Sequence, residues 1–170
     1  MPDLSVVIPV QNEEENIRLL IDEVRQSLDG VLDYELIYVN DGSTDSTLVI
    51  LEDYRSGFPL LRIFSHQTGA GQSTAVRTGI IHAKSPVIAT LDGDGQNDPA
   101  DIPALYQALI ANADTGVVLV NGYRKERKDT FIKRISSKLA NGIRGWLLDD
   151  DTPDTGCGLK VFNRQAYLEI

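Results

Sequence analysis

The residues best suited to chemistry are Asp92, Asp94 and Gln96, in the run Ala89-Thr90-Leu91-Asp92-Gly93-Asp94-Gly95-Gln96-Asn97-Asp98-Pro99. They alternate along the chain, so an extended backbone would put all three side chains on one side. Their oxygens are hard donors of the kind that suit Mg²⁺ or Mn²⁺. Mg²⁺ takes few protein ligands and fills its shell with water and substrate phosphates. The plainer reading is a solvated turn, because Asp, Gly and Asn are turn formers. Two further polar stretches carry carboxylates, Gln11-Asn12-Glu13 and Asn40-Asp41-Gly42.

These stretches need elements to position them. Val87 to Leu91 is an apolar run that reads as a buried strand feeding the acidic loop. Asp98 at N-cap and Pro99 at N1 then start a helix reaching to about Ala113. Upstream, Leu4 to Val10 reads as the first strand. Asn12 starts a helix with Glu15 at the capping-box position. Ile17, Leu20, Ile21, Val24 and Leu28 form its apolar face, and Gly30 stops it. Tyr34 to Asn40 is a second strand, followed by a helix that Asp45 caps and Gly57 ends. Leu60 to Phe64 is a third strand. Gly69-Ala70-Gly71-Gln72-Ser73 leads into a helix with Ala75, Val76 and Ile80 inward. Gly116 to Asn121 and Gly158 to Phe162 complete the strands. Such alternation predicts a mostly parallel sheet with right-handed crossovers. The loops after strands one, two and four then share one edge, which makes a single cleft of three carboxylate-bearing loops.

Residues 1–170 fit one domain. A formal net charge of −9 argues against non-specific nucleic-acid binding, and means that a phosphorylated ligand needs local positive charge or a metal. Cys157 is the single cysteine, so no intramolecular disulfide is expected and a reducing compartment is. Met1-Pro2-Asp3 is not the basic start of a signal peptide, and no apolar run approaches the ~20 residues of a spanning helix. The chain stops at Ala166–Ile170 in helical sequence without a C-cap signal, which reads as a chain cut before its native end. Residues 124–148 differ from the rest. Arg124, Lys125, Arg127, Lys128, Lys133, Arg134, Lys138 and Arg144 are half of all the Lys and Arg. Phe131, Ile135, Leu139, Ile143, Trp146 and Leu147 interleave with them at helical spacing. A basic amphipathic helix with Trp on its apolar side is the pattern of a helix in a membrane interface; the alternative is an ordinary surface helix with its apolar side on the core.

Taken together these segments resemble the family-2 glycosyltransferases of the GT-A fold, and within them the polyprenyl- or dolichyl-phosphate sugar synthases. The resemblance is carried by Val7-Ile8-Pro9-Val10-Gln11-Asn12-Glu13-Glu14, Val39-Asn40-Asp41-Gly42-Ser43-Thr44-Asp45, the acidic run 91–99, Gly122-Tyr123-Arg124-Lys125-Glu126-Arg127-Lys128-Asp129 and Asp154-Thr155-Gly156-Cys157-Gly158-Leu159-Lys160. The chain departs from the family pattern at Gln11, Gly93 and Gly95. The resemblance implies an α/β fold with a Rossmann-like, mostly parallel central sheet and helices on both faces. It implies a metal-dependent inverting transferase that moves a sugar from a UDP- or GDP-linked donor to an acceptor, here a polyprenyl phosphate at the cytoplasmic face of a membrane. Carried over by position, Pro9, Val10, Glu13 and Asp41 line the base and ribose pocket. Asp92 and Gly93 lie by the ribose, and Asp92, Asp94 and Gln96 hold Mg²⁺ or Mn²⁺ against the diphosphate. Arg124, Arg127 and Arg134 meet phosphates, and the Asp154 loop closes over the sugar. A lipid phosphate is already an anionic nucleophile and needs only positioning. A hydroxyl acceptor needs a base, for which Asp154 is the first candidate.

Other classes compete. Leu91-Asp92-Gly93-Asp94-Gly95 resembles the nucleophile loop of haloacid-dehalogenase-like phosphatases, although that loop follows the first strand. Gly69-x-Gly71 hints at a nicotinamide site, with Thr74 in place of the third glycine. A non-catalytic nucleotide-sugar-binding module is the remaining alternative. His66 and His82 are read as structural or solvated, and Cys157 as a small buried residue.

Overall fold

A computed structural model of the chain describes residues 1–122 and 157–169. Its centre is a six-stranded sheet in the order β3-β2-β1-β4-β6-β5. β1 (Leu4–Val10) is the innermost of the parallel strands and is buried along its whole length. That is why it reads as a continuous apolar run instead of an alternating one. β2 (Tyr34–Asp41) and β4 (Val87–Thr90) flank it in parallel, with Val10 opposite Asn40 and Val7 opposite Thr90. β3 (Leu61–His66) adds a fourth parallel strand. β6 (Lys160–Asn163) runs antiparallel to β4, and β5 (Leu119–Asn121) antiparallel to β6.

Helices cover both faces, as expected for this connectivity. Val6, Ile8 and Val10 of β1 pack on one side with the apolar stripe of α1 (Ile17–Leu28), with Leu51 of α2 (Thr47–Gly57) and with Ile102 and Leu109 of α4 (Ile102–Ala111). Val7, Ile37 and Val39 pack on the other side with Ala75 and Ile80 of α3 (Gln72–His82). A Cβ on Gly79 of α3 would stand 2.4 Å from Val7 Cγ1, so the missing side chain is what lets this helix lie close on β1. A last short helix, α5 (Arg164–Leu168), follows β6, and Asn163 Oδ1 caps it by accepting from the amides of Gln165 and Ala166.

Several boundaries differ from the sequence expectation, and three of them bear on the site. The first helix begins at Ile17, not Asn12. Asn12 adopts a left-handed φ of 56°, and the amides of residues 12–14 are taken by the loop after β2, so this stretch bridges two loops instead of opening a helix. β3 runs on to His66 and pairs it with Asp41. The helix after Pro99 starts as a 3-10 turn, Pro99–Asp101, with Asp98 Oδ1 accepting from Ala100 N at 2.9 Å as a true N-cap.

Candidate active site

The loop after β1 is stitched to the loop after β2. Asn12 N donates to Ser43 Oγ at 2.9 Å, and Asn12 Oδ1 accepts from Thr44 N at 2.8 Å. Glu13 N donates to Thr47 Oγ1 at 2.9 Å, and Glu14 N donates to Asp45 Oδ2 at 3.2 Å. Asp45 also accepts from Thr47 N, and these bonds outweigh its desolvation to hold its carboxyl below the usual range. So Asp45 is a structural cap and stitch, and Glu13 is carried to the sheet edge.

The acidic loop is fixed from below. Buried Asn97 accepts from Asp92 N at 3.2 Å and sits against Cys157 Sγ at 3.7 Å. A Cβ on Gly93 would stand 2.5 Å from Val10 Cγ1, so glycine allows the loop to close on β1. The run does not stay extended. Gly95 takes a left-handed φ of 70°, and Asp94 Oδ1 accepts from Gln96 N at 3.0 Å in a local turn. Gln96 therefore faces a different hollow, beside Glu23, Gln26 and Ser27 of α1, and is not brought together with Asp92 and Asp94.

What does converge is a cleft of about 300 Å³ over the C-terminal ends of β1, β2 and β4. It gathers Pro9, Val10, Glu13, Asp41, Asp92, Gly93 and Asp94, joined by Gln11 and Gln72. No sequence signal marks Gln72 as a site residue; its Nε2 donates to Asp92 Oδ1 at 2.8 Å. Asp41 is buried and accepts from Ala70 N at 2.9 Å, Gly71 N at 2.8 Å and His66 Nδ1 at 2.6 Å. Burial pushes its carboxyl up, but those donors outweigh it and hold it below the usual carboxylate range. Because the Ala70 and Gly71 amides point at Asp41, this glycine turn offers no cradle to a dinucleotide phosphate, and it follows β3, not β1.

Beside the cleft lies a more apolar hollow of about 450 Å³ that shares Pro9, Gln72 and Asp92 with it. Val76, Leu91, Leu119, Phe162 and Tyr167 form its walls, and Lys160 is the one cation among its described lining residues. Lys160 Nζ donates to Cys157 O. Arg124, Arg127, Arg134, Asp154 and the basic amphipathic 124–148 segment lie outside the described residues.

Electrostatics bear on a metal. The described lining of the smaller cleft holds Glu13, Asp41, Asp92 and Asp94 and no Lys or Arg. Asp92 and Asp94 are hard oxygen donors in this cleft, and a shell completed by water and phosphate oxygens suits Mg²⁺ or Mn²⁺. No group of three or more His, Cys, Asp or Glu that could hold a metal occurs among the described residues. Asp92 and Asp94 are two carboxylates that a divalent cation could share with a ligand's phosphates, and no all-protein cage occurs among the described residues.

The family model of Glycosyl transferase family 2 matches residues 5–170. The chain belongs to glycosyltransferase family 2. Among curated members, it is 40% identical over 172 residues to a dodecaprenyl-phosphate galacturonate synthase of Rhizobium johnstonii, a match covering 99% of this chain and 50% of that protein. It is 33% identical over 162 residues to an undecaprenyl-phosphate 4-deoxy-4-formamido-L-arabinose transferase of Edwardsiella ictaluri, covering 94% and 48%. The family-2 chain thus spans about half the length of the curated relatives it matches. The fold is shared with a mannosyltransferase from Pyrobaculum calidifontis solved with GDP-Man and Mn²⁺, at TM-score 0.71, 21% identity and coverage of 99% and 46%. It is shared too with glucosyl-3-phosphoglycerate synthase from Mycobacterium tuberculosis solved with UDP, at TM-score 0.75, 24% identity and coverage of 96% and 57%. The GT-A architecture is thereby established for this family-2 chain, and the phosphatase and oxidoreductase alternatives fall with it.

Proposed function

We propose that this chain is the donor-binding catalytic portion of a metal-dependent inverting glycosyltransferase that transfers a sugar from a UDP- or GDP-linked donor to a polyprenyl phosphate. The observation that carries the reading is the convergence of three carboxylate-bearing loops in a cleft whose described lining has no cation, next to a largely apolar hollow. An anionic diphosphate would be repelled there unless a divalent cation came with it. The named acceptors of two relatives are polyprenyl phosphates, which suits an apolar neighbour to the cleft.

In this reading Pro9, Val10, Glu13 and Asp41 receive the base and ribose, Gly93 leaves room beside the ribose, and Asp92 and Asp94 hold the metal. When bound, Mg²⁺ or Mn²⁺ neutralises charge developing on the leaving nucleoside diphosphate. The lipid phosphate oxygen attacks the anomeric carbon, the bond from that carbon to the diphosphate oxygen breaks, and the configuration inverts. No protein base is required, because the nucleophile is already ionised. Gln72 orients Asp92, and Asn97 fixes the backbone beneath it, so that the carboxylate is set before the donor arrives. Arg124, Arg127 and Arg134 supply positive charge to phosphates, and Asp154 closes over the sugar. Among the described residues no helix is long and apolar enough to cross a membrane. The 124–148 segment is the proposed contact with the membrane surface, at its cytoplasmic face.

The test is sugar transfer from UDP- and GDP-sugars to undecaprenyl phosphate in mixed micelles with Mn²⁺. Formation of a lipid-linked sugar that requires the metal supports the reading. Release of phosphate from an aryl phosphate, with no lipid product, contradicts it.

A further inference from the structure

Taking the cleft as a nucleotide site, as proposed above, we propose that His66 is a positioning residue that sets which nucleobase edge the cleft accepts, by occupying one oxygen of Asp41.

The geometry starts in the sheet. β3 continues far enough to pair His66 with Asp41 at the edge where the cleft opens. The imidazole bridges two elements: Nδ1 lies 2.6 Å from Asp41 Oδ1, and Nε2 lies 3.0 Å from Thr78 Oγ1 on α3. An ionised carboxylate only accepts, so Nδ1 must carry the hydrogen. At its other end Nε2 hydrogen-bonds the Thr78 hydroxyl, accepting from it when the ring is neutral and donating to it when the ring is protonated. Both ends of the ring are thereby fixed, and Asp41 cannot rotate without breaking this contact.

The consequence lies in how many acceptor positions Asp41 has left. A carboxylate has about four lone-pair sites, two on each oxygen. Oδ1 takes His66 Nδ1–H and Ala70 N–H, and Oδ2 takes Gly71 N–H. Against the described residues, one site remains, on Oδ2, and Asp41 lines the cleft. A uracil edge presents one imide N–H between two carbonyls and needs one acceptor. A guanine edge presents two adjacent donors, a ring N–H and an amino group, and matches a carboxylate only when both oxygens accept. With Oδ1 filled, the second guanine donor loses its partner on entering the cleft, which a buried polar site penalises. Gly42 supports the same arrangement: a Cβ there would stand 2.5 Å from Gly69 N, so only glycine lets the 68–71 turn reach Asp41.

The experiment is calorimetric titration of the full chain with UDP and with GDP, each with Mn²⁺, for the wild type, His66→Asn and His66→Gln. The Asn amide nitrogen falls near the place of Nδ1 and can still donate to Asp41, whereas the longer Gln amide cannot take that place. The wild type is expected to prefer UDP by about tenfold or more, the effect of one unpaired buried donor. His66→Asn should keep that ratio, and His66→Gln should narrow it to within about threefold while both variants melt cooperatively. GDP binding as tightly as UDP in the wild type overturns the inference, as does an unchanged ratio in His66→Gln or equal ratios in the two variants. Each of these results leaves the nucleotide-site reading standing. Failure of the folded wild type to bind either nucleotide contradicts that reading itself, and the inference with it.

Discussion

A Cβ placed on Gly158 would stand 2.1 Å from Oδ2 of Asp92 and 2.5 Å from Oδ1. The carboxylate occupies the space that any other residue at 158 would fill. This relationship joins the acidic loop after β4 to the turn before β6, and Thr90 Oγ1 reinforces it by donating to Gly158 O at 2.9 Å. The Gly156-Cys157-Gly158 stretch thus has a physical reason for its second glycine. Gly158→Ala should push Asp92 out of place and lower metal-dependent nucleotide affinity about 10–100-fold, the range for losing a partner that orients a metal ligand. Far-UV circular dichroism should stay unchanged. Wild-type affinity in that variant would show that the position of Asp92 is not critical.

At the opposite end of the sheet, Glu35 is buried and accepts three hydrogen bonds. Its Oε1 accepts from Ser5 Oγ and from Lys84 N, both at 2.6 Å, and its Oε2 accepts from Arg62 Nη1 at 2.6 Å. Burial raises the carboxyl pKa, and these bonds bring it below its ordinary 4.5. A folded pKa below the unfolded one means stabilisation that is present above the unfolded value and lost as pH falls through the folded one. Arg62→Ala should cost about 1–3 kcal/mol at pH 7, discounted because Arg62 is partly exposed. The deficit should shrink as pH falls below Glu35's ordinary 4.5 and the carboxylate protonates. Urea unfolding at pH 7 and pH 3 reads both; a deficit independent of pH would assign the loss to packing of the Arg62 stem.

Tyr38 lies in the middle of β2, fully buried, and its hydroxyl has no hydrogen-bond partner among the described residues. Desolvation pushes its pKa far up, so it stays neutral. Tyr38→Phe removes a desolvated hydroxyl and keeps the ring, and should leave the melting temperature unchanged or raise it. A loss of more than about 2 kcal/mol would reveal a partner for that hydroxyl.

The parallel core was plain from the sequence because β1, β2 and β4 are apolar runs bounded by polar loops, and because the intervening helices carry periodic apolar faces. Pro9, Glu13, Asp41, Asp92 and Asp94 were legible as one cleft because parallel strands send their following loops to one edge. Gln96 lines a different hollow from Asp94 for a local reason: Gly95 in a left-handed conformation ends the extension that alternation assumes. The start of α1 was misjudged because Asn12 and Glu13 bond across to residues 43–47, a long-range choice with no local signature. Gln72 and Gly158 carry no local signal for their place beside Asp92, because the packing of α3 and the approach of β6 bring them there. His66, read as structural or solvated, does hold Asp41, through the register of β3.

The most direct test is titration of the chain with UDP and with GDP, with and without Mn²⁺, alongside Asp94→Ala. The account predicts that a nucleoside diphosphate binds, that binding requires the metal, and that Asp94→Ala weakens it by about tenfold or more with the fold intact. Binding that is indifferent to Mn²⁺, or as tight in Asp94→Ala as in the wild type, would contradict it.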